Sequence, residues 1–425
     1  MRCGGLWIVL TLAVALVVCS KTAAITIDID YTYDLPANGG SNFFGGGNPQ
    51  GPTGGAQARA AMEAATGYFS TILNDTFDAI SVPPPYRSTF PGSTGLVTWF
   101  FEQRFQHPSG TTEIVVPNPV IPDASVPSNT YIIYAGARNL GPSVAGNGAV
   151  GGQFRGNVVS GTNQFTDSDI SYIQQTSTNF FDAVDTRGEP DGFARWGGSI
   201  TFDTAVSPPW HFNHTISPSG NVRDFYSVAV HELAHALGFG SQSSNSATPW
   251  EELVSNFSFT GDSAMSVNNN QPVPLSGDRA HWQNGKMSTV YGGLAAQEAA
   301  MDPDLLNGTR KHFAILDAYA MRDIGWEVVA PPVPVLYGDY NNNGRVDAAD
   351  YVLWRENLNK NVVLPNDQSA GSVNLGDYTV WRNNFGRALG LGSGSLFATV
   401  PEPSALTVAL CGLGLLVSPR RKQRR

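Results

Sequence analysis

Cysteine is almost missing from this chain of 425 residues: three occur, Cys3, Cys19 and Cys411, and all lie in the terminal segments. The long stretch between them has no disulfides, so packing and metal ions must hold it. Charge is sparse at 14% of residues and acidic in balance, with a formal net of −10. Much of the positive charge sits at the ends, in Arg2 and Lys21 and in Arg420, Arg421, Lys422, Arg424 and Arg425. What lies between is therefore more acidic still, which argues against a nucleic-acid partner. Histidine numbers only seven, so any imidazole-based metal site draws on few residues. Against these shortages, an apolar content of 41% describes a globular protein, long enough for one large domain plus small modules.

Both ends read as targeting segments. Arg2, the apolar run "LWIVLTLAVALVV" and the small-residue stretch "CSKTAA" have the order of a signal peptide, 1–24, with cleavage near Ala24 and export. Val18 stands where a lipoprotein signal wants a small residue, so Cys19 is read as lost with the signal. At the other end a Pro-Glu-Pro triplet precedes an apolar run, Ala405 to Val417, and a basic terminus. The run is shorter than the roughly 17 residues of a comfortable membrane helix, yet the cations after it suit a cytoplasmic stop. This order resembles the PEP-CTERM sorting tail of exported bacterial proteins, here 400–425, which implies transient membrane anchoring and a surface, matrix or secreted destination.

Between them, "ITIDIDYTYD" alternates like a half-buried strand, and "AQARAAMEAATGYFSTILND" suits a helix packed on its sheet. "GLVTWFFEQRF", "NTYIIYAGARNL" and "WGGSITFDT" read as further strands, "RDFYSVAVHELAHALGF" and "FAILDAYAMRDIGWEVV" as helices. The expected fold class is α+β over 25–330. A Pro-rich linker, 331–335, leads to a small all-α module, 336–390, and then to a Gly- and Ser-containing spacer, 391–399.

"HELAHALGFGS" carries the chemistry. His231 and His235, four apart, share a helix face and can present ring nitrogens to one ion, with Glu232 beside them. Zinc with three protein ligands keeps a fourth position for water and lowers its pKa toward about 7, and Glu232 is placed to move the proton. Gly238 permits the backbone exit that ends the helix. HExxHxxG resembles the metzincin zinc peptidases, whose motif usually closes with a histidine or aspartate where this chain has Ser241, a poor zinc donor.

His107, His211, His214, His281 and His312 remain. His107 is read as exposed, His211 and His214 as loop residues, and His312 as a first-turn residue of the last helix. His281, 46 residues after His235, lies in "AHW" and is followed by "AMDP". That order resembles the leishmanolysin-like branch, in which an insertion precedes a His-Trp ligand and a methionine turn. The resemblance implies His281 as third zinc ligand and Met301 as the methionine beneath the site, with Asp262 and Met287 as the alternatives. It also implies that "GGSITFDT" is the edge strand that pairs with an extended substrate. It covers roughly 25–330, with its specific motifs in the second half. The lack of cysteine excludes a cysteine-switch form of latency.

The last module is an internal duplication, aligning Gly344 with Gly371, Asp350 with Asp377, Tyr351 with Tyr378 and Trp354 with Trp381. Asp339, Asn341, Asn343, Asp347 and Asp350, with the carbonyl of Arg345, stand at positions 1, 3, 5, 9, 12 and 7 of a calcium loop. The second copy has Ala370 at position 5 and is the weaker candidate. The pair resembles a dockerin type I module, which implies Ca2+ and a cohesin-like or other surface partner. Together these features point to an exported zinc endopeptidase with a protein or peptide substrate. The alternative is a non-catalytic surface or matrix protein with structural zinc and calcium sites.

Overall fold

Alternating and fully apolar runs in the first 200 residues build two sheets that share a core. A computed structural model describes residues 25–388 apart from 163, 190–195, 205–206, 243–247, 294, 332–334 and 369–370. The signal segment, the spacer, the sorting tail and most of the linker lie outside the described residues. Among the described residues no helix is long and apolar enough to cross a membrane. The fold is mixed α+β, with eight α-helices among the described residues.

The main sheet has the order β1 (Thr26–Asp30), β4 (Thr130–Arg138), β7 (Gly197–Asp203), β5 (Gly146–Val150). β1, β4 and β7 run parallel, and β5 joins β7 antiparallel at one edge. The second sheet centres on β2 (Leu96–Gln106), flanked by β3 (Glu113–Val116) and β6 (Gly152–Ser160). Alternation in β4 serves both sides: Tyr131, Ile133 and Ala135 enter the core under helices α1 (Gly51–Ile72) and α3 (Phe225–Ala236), while Tyr134 packs with Phe101, Phe105 and Trp196 toward the second sheet. The main sheet is thus buried on both faces, and every residue of β7 is buried.

That burial corrects one expectation. "GGSITFDT" is an interior strand, because β4 and β5 pair with it on either side. The edge is β5, "GNGAV", whose missing side chains left no periodicity to read. The structure also adds α2 (Asp167–Asp185), closed by a capping box in which Thr166 and Asp169 satisfy each other's backbone N–H groups, and burying only Phe180 and Val184 of its large apolar residues. Helix α4 (Ile315–Asp323) packs Leu316, Ala318, Ala320 and Met321 into the main core.

The terminal module has its own apolar cluster of Tyr340, Trp354, Leu364 and Val373. Helices α5 (Ala348–Asn357) and α6 (Leu375–Asn384) begin with equivalent caps, Asp347 with Asp350 and Asn374 with Asp377. Each copy also closes the other: the Trp354 indole donates to the Asn374 carbonyl and the Trp381 indole to the Asp347 carbonyl, both at 2.8 Å.

Candidate metal centre

Helix α3 starts where the Asp224 carboxylate accepts the Ser227 N–H, and Arg310 grips that carboxylate through two bonds of 2.8 and 2.9 Å. The helix then runs almost wholly buried, which fixes the rotation that sends His231 and His235 toward one point. At Gly238, φ is +107°, and at Gly240 it is +68°. The second of these decides the site, since a Cβ on Gly240 would lie 2.4 Å from the Ala280 carbonyl oxygen. Only glycine lets the segment carrying His281 pass so close to the end of the helix.

His231, His235 and His281 come together. Their Nε2 atoms are 3.1, 3.1 and 3.0 Å apart, and among the described residues they form the one such group of histidine, cysteine or carboxylate side chains. Each Nδ1 faces an acceptor: the Ala300 carbonyl for His231, the Phe239 carbonyl for His235 and the Asp278 carboxylate for His281, at 2.7, 2.8 and 2.7 Å. Those acceptors require the hydrogen on Nδ1, so a neutral ring leaves Nε2 bare. Burial, then repulsion by the neighbouring imidazoles, pushes His231 well below the ordinary range and His235 down to about 3. Three converging lone pairs repel one another unless a cation lies among them. Nitrogens placed tetrahedrally around zinc at about 2.0–2.1 Å would stand roughly 3.3–3.4 Å apart, close to the observed triangle. The group can hold a metal ion.

Comparison of the chain with protein-family models, curated proteins and solved structures finds no match.

Glu232 lies on the cleft wall. Burial pushes its carboxyl up to about 8, against the lowering effect of a hydrogen bond from the Gly148 N–H. Glycines in β5 make this approach possible: a Cβ at Gly148 would sit 2.0 Å from the Glu232 carbonyl oxygen, and one at Gly146 would fall 2.6 Å from its Cγ. Since Asp203 N–H donates to the Ala145 carbonyl and Gly151 N–H to that of Gly197, the odd-numbered residues of β5 face β7. Gly146, Gly148 and Val150 consequently turn their backbone groups to the open edge. A cavity of about 330 Å³ adjoins His231, Glu232 and His281, walled by Val144, Gly146, Ser227, Val228 and Leu305.

Met301 is fully buried, whereas Met287 is exposed. The Met301 carbonyl accepts the Trp282 N–H at 3.0 Å, tying the Met301 segment to the residue after His281. Asp262 begins a short helix and is not part of the metal-binding group. His107 proves buried rather than exposed, accepting the Ser109 N–H on Nδ1 with Nε2 2.9 Å from the Asn38 carbonyl. His211 lies not in a loop but in the two-residue strand Trp210–His211, with Nε2 3.0 Å from the Ile216 carbonyl, while His214, in the loop before α3, stacks on Tyr226. His312 precedes α4 by three residues rather than starting it.

Sequence reasoning missed Asp278, which orients His281. Burial raises its carboxyl, but the Ser276 hydroxyl, the Ala280 N–H and His281 outweigh that and bring it down to about 2. An acid three residues before a ligand histidine was the available signal.

In the terminal module, Asp339 accepts the N–H groups of Asn343 and Gly344, and Asp350 those of Asn341 and Asp347. These bonds curl the loop back on the Asp339 and Asp350 carboxylates, and Gly344 supplies a turn with φ +81°. Its three carboxylates do not close into a group like that of the histidines. Burial, and at second order the charges of Asp339 and Asp347, raise Asp350 above the usual carboxylate range.

Proposed function

We propose that this chain is an exported zinc-dependent endopeptidase of metzincin type, with a leishmanolysin-like arrival of the third ligand, a dockerin-like calcium module and a sorting tail. The observation that carries the proposal is the triangle of bare Nε2 atoms beside a buried glutamate, on a cleft bordered by an open strand edge. His231, His235 and His281 would hold the metal, and zinc there would supply Lewis acidity and acidify water toward a pKa of about 7.

The remaining chemistry belongs to the chain. Glu232 takes a proton from water in the cleft on its carboxylate as the water oxygen bonds to the scissile carbonyl carbon, and delivers that proton to the amine nitrogen as the C–N bond breaks. Burial sets its proton affinity high, and a neighbouring cation favours the ionised form, which brings the group toward the range where it both accepts and donates near neutral pH. The outward backbone groups of Gly146 and Val150 pair with an extended peptide, and the cavity beside His231 receives one of its side chains. Asp278 and the carbonyls of Ala300 and Phe239 hold the imidazoles in the tautomer that leaves Nε2 available. Calcium in the Asp339–Asp350 loop would order the module, and the terminal sequences support export and surface attachment.

Zinc content and hydrolysis of a broad protein substrate test this in the native chain, Glu232→Ala and His281→Ala. The first variant is expected to keep zinc and lose cleavage, and the second to lose zinc. Zinc bound without cleavage by the native chain would favour the non-catalytic surface protein; equal cleavage by all three would refute the mechanism.

A further inference from the structure

Asp317, at the start of α4, is fully buried and accepts four hydrogen bonds. Oδ1 takes the Trp282 indole at 2.8 Å and the Met301 N–H at 3.3 Å, while Oδ2 takes the N–H groups of Ala300 and Ala314, both at 2.8 Å. None of these donors carries a formal charge, so the carboxylate is desolvated without a cation in contact, and burial pushes it up to about 6. A helix cap alone needs one or two of these bonds. The other partners lie on segments that bear the metal site.

Each histidine leads back to this carboxylate. Ala300 gives its N–H to Asp317, and its carbonyl accepts from His231. Trp282, held by its indole, is the residue after His281. Its ring packs edge-on against Phe239 at 5.1 Å, and the Phe239 carbonyl fixes His235. We infer that Asp317 is a positioning residue for the whole histidine triangle, one carboxylate that sets the ligand spacing from beneath while touching neither metal nor substrate.

The inference rests on the triangle being a zinc site. The test uses the full chain and three readouts: zinc affinity by chelator competition, the visible absorption of the Co2+ derivative, and the melting temperature of the metal-free protein. Asp317→Asn places an amide among four donors and loses part of the cradle, and Trp282→Phe removes the indole bond alone. Asp34→Asn is the control, because Asp34 is a buried carboxylate that accepts the N–H groups of Phe43 and Phe44 away from the ligands. Asp317→Asn is expected to weaken zinc about 10–100-fold, as loss of a partner outside the ligand shell does, and to shift the Co2+ bands. Trp282→Phe should weaken zinc to a lesser degree, and Asp34→Asn should only lower the melting temperature. An Asp317→Asn protein that melts earlier but keeps native zinc affinity and Co2+ bands would reduce Asp317 to a helix cap and overturn the inference. If that variant fails to fold, unchanged affinity and bands in Trp282→Phe overturn it equally. A native chain that binds no zinc removes the proposed function itself.

Discussion

Replacing Gly240 by alanine separates the shape of the metal centre from the stability of the fold. At φ +68° an alanine carries a conformational penalty of about 1–2 kcal/mol. Its Cβ would also stand 2.4 Å from the Ala280 oxygen and 2.9 Å from the Ala280 Cα. To reach even the 3.0 Å that bounds real contacts, the oxygen must retreat by about 0.6 Å. Ala280 is bonded to His281, so the imidazole is carried with it, whereas metal–ligand distances tolerate only about 0.2 Å. Zinc affinity should fall at least tenfold, equivalent to about 1.4 kcal/mol. Gly92→Ala isolates the conformational term: Gly92 has φ +80°, and a Cβ added there would meet nothing within 4 Å, in the turn that joins Tyr86–Arg87 to β2 within the second sheet. Both variants should melt a few degrees lower when metal-free, and only Gly240→Ala should lose zinc in a chelator titration. Native zinc affinity in Gly240→Ala would refute the claim that this close approach places the third ligand.

Three other outcomes are expected. Asp278→Asn leaves His281 without its anionic acceptor and should weaken zinc about 10–100-fold, read by the same titration, with little change in metal-free melting because the side chain is largely exposed. In the metal-free protein the depressed His231 and His235 stay neutral while the unfolded chain takes up protons below about 6.5. Stability should therefore decline as pH falls from about 6.5 toward 3, by up to about 1.4 kcal/mol per pH unit for each imidazole; urea midpoints across that range should show a shallower slope for His235→Gln, and an identical slope would contradict the assigned burial effect. Calcium at about 100 times its dissociation constant should stabilise the terminal module by roughly 2.7 kcal/mol, followed by tryptophan fluorescence, and Asp339→Ala should abolish the response.

The helix bearing His231 and His235 was legible because both ligands and the candidate base lie within one turn, where spacing alone dictates geometry. His281 lies beyond that reach, and only resemblance singled it out among the remaining histidines; the structure then brought it to the same point. The edge strand was misassigned for a physical reason. A strand buried on both faces, such as Gly197–Asp203, has no alternation to distinguish interior from edge, and Gly146–Val150 has too few side chains to show any pattern. Helix α2 was overlooked because few of its side chains are apolar and buried. Asp278, Asp317 and Gly240 act through approaches between distant segments, which no local pattern records. In the terminal module the duplicated spacing was legible and reappears as two equivalent helix caps, since caps are local.

The reciprocal indole contacts of that module bear on how its two copies can diverge. Because Trp381 secures the cap of the first helix and Trp354 that of the second, neither copy depends on its own loop alone for its shape. A sequence difference between the loops, such as alanine at position 370 where the first copy has Asn343, then leaves each helix cap held by the opposite copy. Sequence drift in one loop is buffered by its twin, so the two loops can differ while the paired helices keep their caps.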